Sequence, residues 1–180
     1  MTESNNVLLY RKILIVGCGG AGKSTLAVAL GKKLALPVVH LDKLWWKPKW
    51  QSRTESEFDA LLLSELEKPS WIIEGNFART FARRLEHAEL CIFLDYPTEL
   101  CINSVYERAE KYRGTTRPDM TEGCTEQVDP VFEEWIRSFD IDVKPKMLET
   151  MSASGVPYKI FSSREQTAEW LDGILPRMLA

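Results

Sequence analysis

Long apolar runs are what this chain most clearly lacks. No stretch approaches the roughly 20 residues that span a bilayer, so no helical membrane anchor is expected. Met1 to Asn6 is polar, without the charged-then-apolar layout of a secretory signal. A cytoplasmic location is the expectation. Cysteine is scarce: Cys18, Cys91, Cys101 and Cys124 are the only four, and none forms a C-x-x-C pair. That excludes the usual structural zinc site and points to free thiols. Charge of one sign is missing too, with a formal net charge of −3 and 27% charged residues. Broad nonspecific attraction to nucleic acid is therefore disfavoured. The two histidines, His40 and His87, have no partner at ligand spacing and receive no role. There is no internal repeat and no low-complexity segment.

What remains is a 180-residue chain, 44% hydrophobic, long enough for one domain with a sizeable core. Its organising stretch is Gly17-Cys18-Gly19-Gly20-Ala21-Gly22-Lys23-Ser24. The pattern is G-x-x-x-x-G-K-[ST], a phosphate-binding loop. Glycines let successive backbone N–H groups point into one cradle. The helix that follows presents its positive end to the phosphates. Lys23 is expected between the β- and γ-phosphates, and Ser24 on Mg²⁺. Context agrees. Lys12 to Val16 is a β-branched run that reads as a buried strand. Leu26, Ala27, Leu30 and Leu34 then fall at helical spacing.

Further along, strands are expected at 38–41, 71–74, 90–94 and 158–161, with helices between them. Residues 1–10 read as a frayed lead-in. Thr54 with Glu57 reads as a capping box for a helix reaching 66. Phe77 to His87 reads as helical and basic, and the last helix as running from about 164 to 179. Alternating strands and helices imply a parallel sheet covered on both faces. Ligands in such sheets bind off the carboxyl ends of the strands, where Gly17, Asp42, Glu74, Asp95 and Ser162 fall. Segments 42–66 and 113–129 read as mobile inserts in a single domain.

Several segments carry a resemblance. Besides 17–25 they are His40-Leu41-Asp42-Lys43-Leu44-Trp45-Trp46, Trp71-Ile72-Ile73-Glu74-Gly75-Asn76, Phe93-Leu94-Asp95-Tyr96-Pro97, and Tyr112 through Met120 with Arg113-Gly114-Thr115-Thr116-Arg117-Pro118-Asp119. With them the chain resembles the adenylate-kinase-like P-loop kinases, and more closely the bacterial topology modulation proteins. The resemblance implies a three-layer fold with a five-stranded parallel sheet in order 2-3-1-4-5 and a helical lid. It also implies ATP and Mg²⁺.

The expected site follows from both readings. Gly17, Gly19, Gly20, Ala21, Gly22, Lys23, Ser24 and Thr25 hold the donor, and Arg164 lies under the adenine. Ser24 and Glu74 serve the metal, unless Glu74 is only a satisfied strand-end carboxylate. Asp42 orients or deprotonates an acceptor hydroxyl, or else serves as a helix cap or turn residue. Arg108, Arg113 and Arg117 close over the transferring phosphate. Arg79, Arg83 and Arg84 grip an anionic acceptor, or form only a solvated basic face. Trp45, Trp46 and Trp50 either stack an acceptor ring or pack a small insert. The expected activity is Mg-dependent phosphotransfer to a small anionic acceptor, a nucleotide or metabolite. The alternative is an ATPase switch acting through a macromolecular partner.

Overall fold

In a computed structural model of the chain, residues 7–175 are described. Ile13-Leu14-Ile15-Val16 has no solvent exposure at all. A run apolar on both faces can only sit in the middle of a covered parallel sheet. This is β1 (Lys12–Gly17), flanked by β5 (Trp71–Glu74) on one side and β6 (Leu90–Leu94) on the other. Beyond β5 lies β2 (Val38–His40), and beyond β6 lies β7 (Tyr158–Phe161). All four pairings are parallel, and the order is β2-β5-β1-β6-β7. This is the expected 2-3-1-4-5 sheet of the P-loop kinase fold. The small β3 (Trp46–Lys47) and β4 (Gln51–Ser52) form a separate antiparallel hairpin inside segment 42–66.

From β1 the chain crosses to the far edge at β2 and returns through β5. It then passes to the other side at β6. The carboxyl ends of β1 and β5 therefore open onto a switch point, the natural crevice of such sheets.

The helices are α1 (Lys23–Leu34), α2 (Leu41–Trp45), α3 (Glu55–Leu66), α4 (Phe81–His87), α5 (Thr98–Lys111), α6 (Pro130–Asp142), α7 (Lys144–Ala153) and α8 (Arg164–Asp172). In α1, the four residues read from spacing, Leu26, Ala27, Leu30 and Leu34, are all buried. At α3 the capping box is present: Thr54 Oγ1 accepts from Glu57 N at 3.2 Å and Thr54 N donates to Glu57 Oε2 at 2.8 Å. Thr54→Ala removes the acceptor and orphans an N–H. We expect it to cost about 1 kcal/mol and lower Tm by roughly 2–4 °C in a thermal melt. An unchanged Tm would show that water replaces the cap.

Boundaries differ from expectation in three places. The second strand stops at His40, because Leu41 already begins α2. The 77–87 segment starts as a 3₁₀ turn (Ala78–Thr80), with Phe77 at φ 38°. The last helix ends at Asp172, short of 179; Gly173 is its C-cap, with its N–H donating to the Glu169 carbonyl. Residues 1–6 of the lead-in and 176–179 of that helix lie outside the described residues. Between α5 and α6 the chain folds back on itself through bridges at Arg113–Glu126 and Thr116–Thr125. No helix among the described residues is long and apolar enough to cross a membrane.

Candidate active site

The phosphate loop is shaped by contacts that only glycine permits. Gly20 has φ 81°, and a Cβ there would lie 2.1 Å from the Cys101 carbonyl oxygen. Gly17 has φ 142°, and its Cβ would come within 2.4 Å of the Leu94 oxygen. The loop is thus pressed against β6 and α5 by its own backbone. Gly22, at φ 86°, ends the loop as the N-cap of α1. No side chain caps α1 and no acid stands in its first turn. Its first N–H groups and positive dipole end suit an anion. Lys23 Nζ donates to the Gly17 and Cys18 carbonyls at 3.1 and 2.8 Å, lying along the loop.

Glu74 ends β5 beside this loop and is 4% exposed. Ser24 Oγ donates to Glu74 Oε1 at 3.0 Å, and His40 Nδ1 lies 2.7 Å from the same oxygen. Asn76, two residues on, accepts from Gly17 N at 3.2 Å, tying the turn after β5 to the start of the loop. Asp42 stands half-buried in the first turn of α2. Burial and the Glu74 carboxylate push its pKa up to about 6, against the pull of Lys23 and Arg117.

Loop 113–129 and the end of α5 supply the cations. Arg117 is buried, with Nε 2.6 Å from Glu126 Oε2 and Nη1 3.3 Å from Asp119. Arg108 on α5 reaches the other oxygen of Glu126 at 3.0 Å. One carboxylate thus holds both arginines. Burial opposes charge on Asp119, but Arg117 and Ser24 outweigh it and hold the carboxyl below its ordinary range.

Two cavities meet here. One, of about 460 Å³, runs from the loop past Asp42 to an aromatic wall. The other, of about 560 Å³, passes Thr25, Lys111 and Arg164 on the far side of the loop. Arg164 Nη2 donates to Ser104 Oγ there. The two share Gly20, Lys23, Ser24, Arg108, Arg117 and Asp119. Ala21 is buried in the loop.

Four of the expected arginines lie elsewhere. Arg113 is exposed and pairs with Glu110 on its own turn. Arg79 forms a bidentate pair with Asp59 at 3.0 and 2.7 Å. Arg83 is exposed on α4. Arg84 is fully buried and donates to the carbonyls of Gly75, Asn76 and Phe77. It braces the turn after β5. None of the four lines either cavity.

The tryptophans divide. Trp45 packs edge-on to Phe58 at 5.5 Å and against the core, and also lines the first cavity. Trp46 and Trp50 sit outside the core, edge-to-face at 5.4 Å, and line the first cavity. Trp50 holds a left-handed backbone, φ 58°, rare for so bulky a residue. Its Nε1 donates to the Thr125 carbonyl at 3.2 Å. Thr121 Oγ1 donates to the Trp46 carbonyl at 2.8 Å, and Lys49 N to Gly123 O at 3.1 Å. The hairpin and loop 113–129 thus grip each other beside the cleft. Cys124 is buried against the Lys47 carbonyl.

The sequence reading passed over His40, Asn76, Asp119, Glu126 and the α6 rings Phe132 and Trp135. His40, Asn76 and Asp119 fall inside the segments that carry the resemblance, Asp119 two residues after Arg117. Glu126, Phe132 and Trp135 carry no local signal, since their roles depend on which loops meet.

No protein-family model matches the chain, and no curated protein does either. Among solved structures, shikimate kinase from Acinetobacter baumannii in complex with shikimate superposes with a TM-score of 0.61. The two are 17% identical, over 95% of this chain and 94% of that one. A gluconokinase from Sinorhizobium meliloti 1021 gives a TM-score of 0.53 at 15% identity, covering 92% and 89%. Deoxyadenosine kinase from M. mycoides with bound dATP gives 0.52 at 14% identity, covering 89% and 95%. At such identities the likeness is one of fold.

Proposed function

We propose that this protein is an ATP-dependent phosphotransferase that moves the γ-phosphoryl group of ATP to a hydroxyl of a small molecule. The observation that carries the reading is the meeting of two cavities at Lys23, Ser24, Arg108 and Arg117. One cavity suits the donor and the other the acceptor, with the shared residues at the point of transfer.

The cavity past Thr25 and Arg164 takes the nucleotide, and the loop N–H groups and Lys23 take its phosphates. The donor set for Mg²⁺ is hard and oxygen-based, with the Ser24 hydroxyl 3.0 Å from Glu74 and Asp119 beside them. Bound there, Mg²⁺ supplies charge neutralisation on the donor phosphates. Asp42 accepts the proton of the acceptor hydroxyl. The acceptor oxygen bonds to the γ-phosphorus as the bond from that phosphorus to the β,γ-bridging oxygen breaks. ADP leaves with the electron pair. Arg108 and Arg117 neutralise charge on the transferring group. Arg113 is assigned no part, since it lines neither cavity. The whole chain acts as one domain. Its moving parts are 42–66 and 113–129, which close together because they grip each other.

An anionic acceptor was expected from Arg79, Arg83 and Arg84. Their positions give that expectation no support. The narrower likeness to topology modulation proteins rests on sequence segments and names no acceptor.

The test is coupled ADP release from Mg-ATP, against neutral, cationic and anionic alcohols. One acceptor is expected to raise ADP release at least about tenfold over the basal rate. ATP binding with no acceptor effect in any class would instead favour an ATPase that answers to a macromolecule. Failure to bind ATP would overturn both.

His40 is a positioning residue in this scheme, fixing the Glu74 oxygen that faces Ser24. His40→Ala is expected to raise the half-saturating Mg²⁺ concentration for basal ADP release about 10- to 100-fold. An unchanged Mg²⁺ dependence would reduce the contact to packing.

A further inference from the structure

The acceptor-side cavity is rich in rings and poor in uncommitted cations. Its charged lining is Asp42, Glu74, Asp119, Glu126 and Asp129 against Lys23, Arg108 and Arg117, five carboxylates to three cations. Each of those cations already has partners. Lys23 lies on the loop carbonyls, and Arg108 and Arg117 share Glu126. Lys47, on the nearby hairpin, pairs with Glu57 at 3.0 Å. An anionic acceptor would meet net negative charge here with no arginine fork to receive it.

The apolar part of the cavity is largely aromatic: Trp45 and Phe77, both packed against the core, line it, and two further ring pairs come from separate parts of the fold. The hairpin contributes Trp46 and Trp50, held edge-to-face. Helix α6 contributes Phe132 and Trp135, stacked at 5.8 Å with planes 10° apart. The hairpin pair is fixed from behind by Thr121 and Thr125 rather than by core packing. Phe132 and Trp135 pack against the core as Trp45 does, whereas Trp46 and Trp50 stand outside it; rings so placed at a cavity are positioned for a ligand with a π-face.

We propose that the acceptor is an alcohol with a flat ring and no negative charge, of the nucleoside or aromatic-alcohol kind. Its ring lies against Trp46 and Trp50, and its hydroxyl reaches Asp42. The amides of Gln127 and Asn76, in the same lining, are the groups available to polar ring edges. A positively charged substituent is tolerated or favoured, because carboxylates outnumber cations and indole faces attract cations. The inference rests on the reading that this cleft holds the acceptor.

The test is isothermal titration calorimetry on the full chain without ATP, so that binding is read apart from transfer. The ligands are matched pairs: adenosine with adenylate, thymidine with thymidylate, and benzyl alcohol with its para-carboxylate and para-aminomethyl forms. In at least one set the uncharged or cationic member is expected to bind at least tenfold tighter than the anionic one. Trp46→Ala is expected to weaken that binding about fivefold or more. Phe132→Ala serves as a second variant should Trp46→Ala fail to fold. Equal or tighter binding of the anionic members overturns the inference. So does ring binding that neither folded variant weakens. If ATP binds and no ring alcohol binds, the inference falls and the phosphotransferase reading stands. If ATP does not bind, that reading has failed first.

Discussion

Arg117→Ala is expected to lower kcat by about 10³- to 10⁵-fold, the scale of an arginine that neutralises a transferring phosphoryl group. ATP affinity should change little, because in the proposed reading Lys23 and the loop N–H groups hold the ground-state phosphates. A loss in kcat with little change in affinity is the mark of an interaction made in the transition state. Burial is why one arginine matters so much. Away from bulk water its charge is weakly screened, and Glu126 and Asp119 aim it before ATP arrives. Removing it does not orphan Glu126, which keeps Arg108. The fold should therefore survive with a modestly lower Tm. Arg117→Lys keeps the charge but not the fork, and should recover only part of the loss. Steady-state kinetics with a nucleotide-binding measurement decides the matter. A kcat within tenfold of the parent would remove loop 113–129 from the mechanism.

Asp42→Asn should do two opposite things. As the proposed base its loss costs about 10²- to 10⁴-fold in kcat. The pH profile of the parent should fall about tenfold per unit below pH 6, where Asp42 gains its proton. Stability moves the other way. A carboxyl whose folded pKa lies above its unfolded value stabilises most when protonated. That contribution is complete below about pH 4 and is lost as pH rises through about 6. Above that the ionised group costs up to about 3 kcal/mol. The amide of the variant carries no charge to desolvate. The variant should therefore melt several degrees above the parent at pH 8 and close to it at pH 4. An equal or lower Tm at pH 8 would mean that Asp42 is not held in the strained, ionised state described. Lost activity with raised stability is the pattern of a site held for function at a cost to the fold.

The strands and the loop were legible because their causes are local. Five apolar runs, bounded by turn residues and separated by helical spacing, leave a parallel sheet as the arrangement that buries them. G-x-x-x-x-G-K-[ST] names its own geometry, since φ 81° at Gly20 and 142° at Gly17 cannot be built with a side chain. The capping box of α3 is equally local, with both partners within four residues. The arginines were less legible. Arg84 reads as part of a basic helical face and Arg117 as part of a turn-rich stretch, and neither setting says which of them reaches the cleft. One braces carbonyls behind the turn after β5, and the other stands where the two cavities meet. That difference is set by what lies across from each, which no neighbouring residue encodes.

The sequence by itself determined the sheet, the phosphate loop and the helix behind it, because strand burial, glycine conformation and helix periodicity act over a few residues. Only the tertiary structure decided which charges share the cleft and which are spent elsewhere. Glu126 is 18 residues from Arg108 and 9 from Arg117, yet it binds both. His40 meets Glu74 because β2 and β5 are parallel neighbours in register. Trp50 meets Thr125 because two loops fold over the same crevice. Such contacts arise from chain crossings, and the free energy that fixes them is burial of the sheet between its helices.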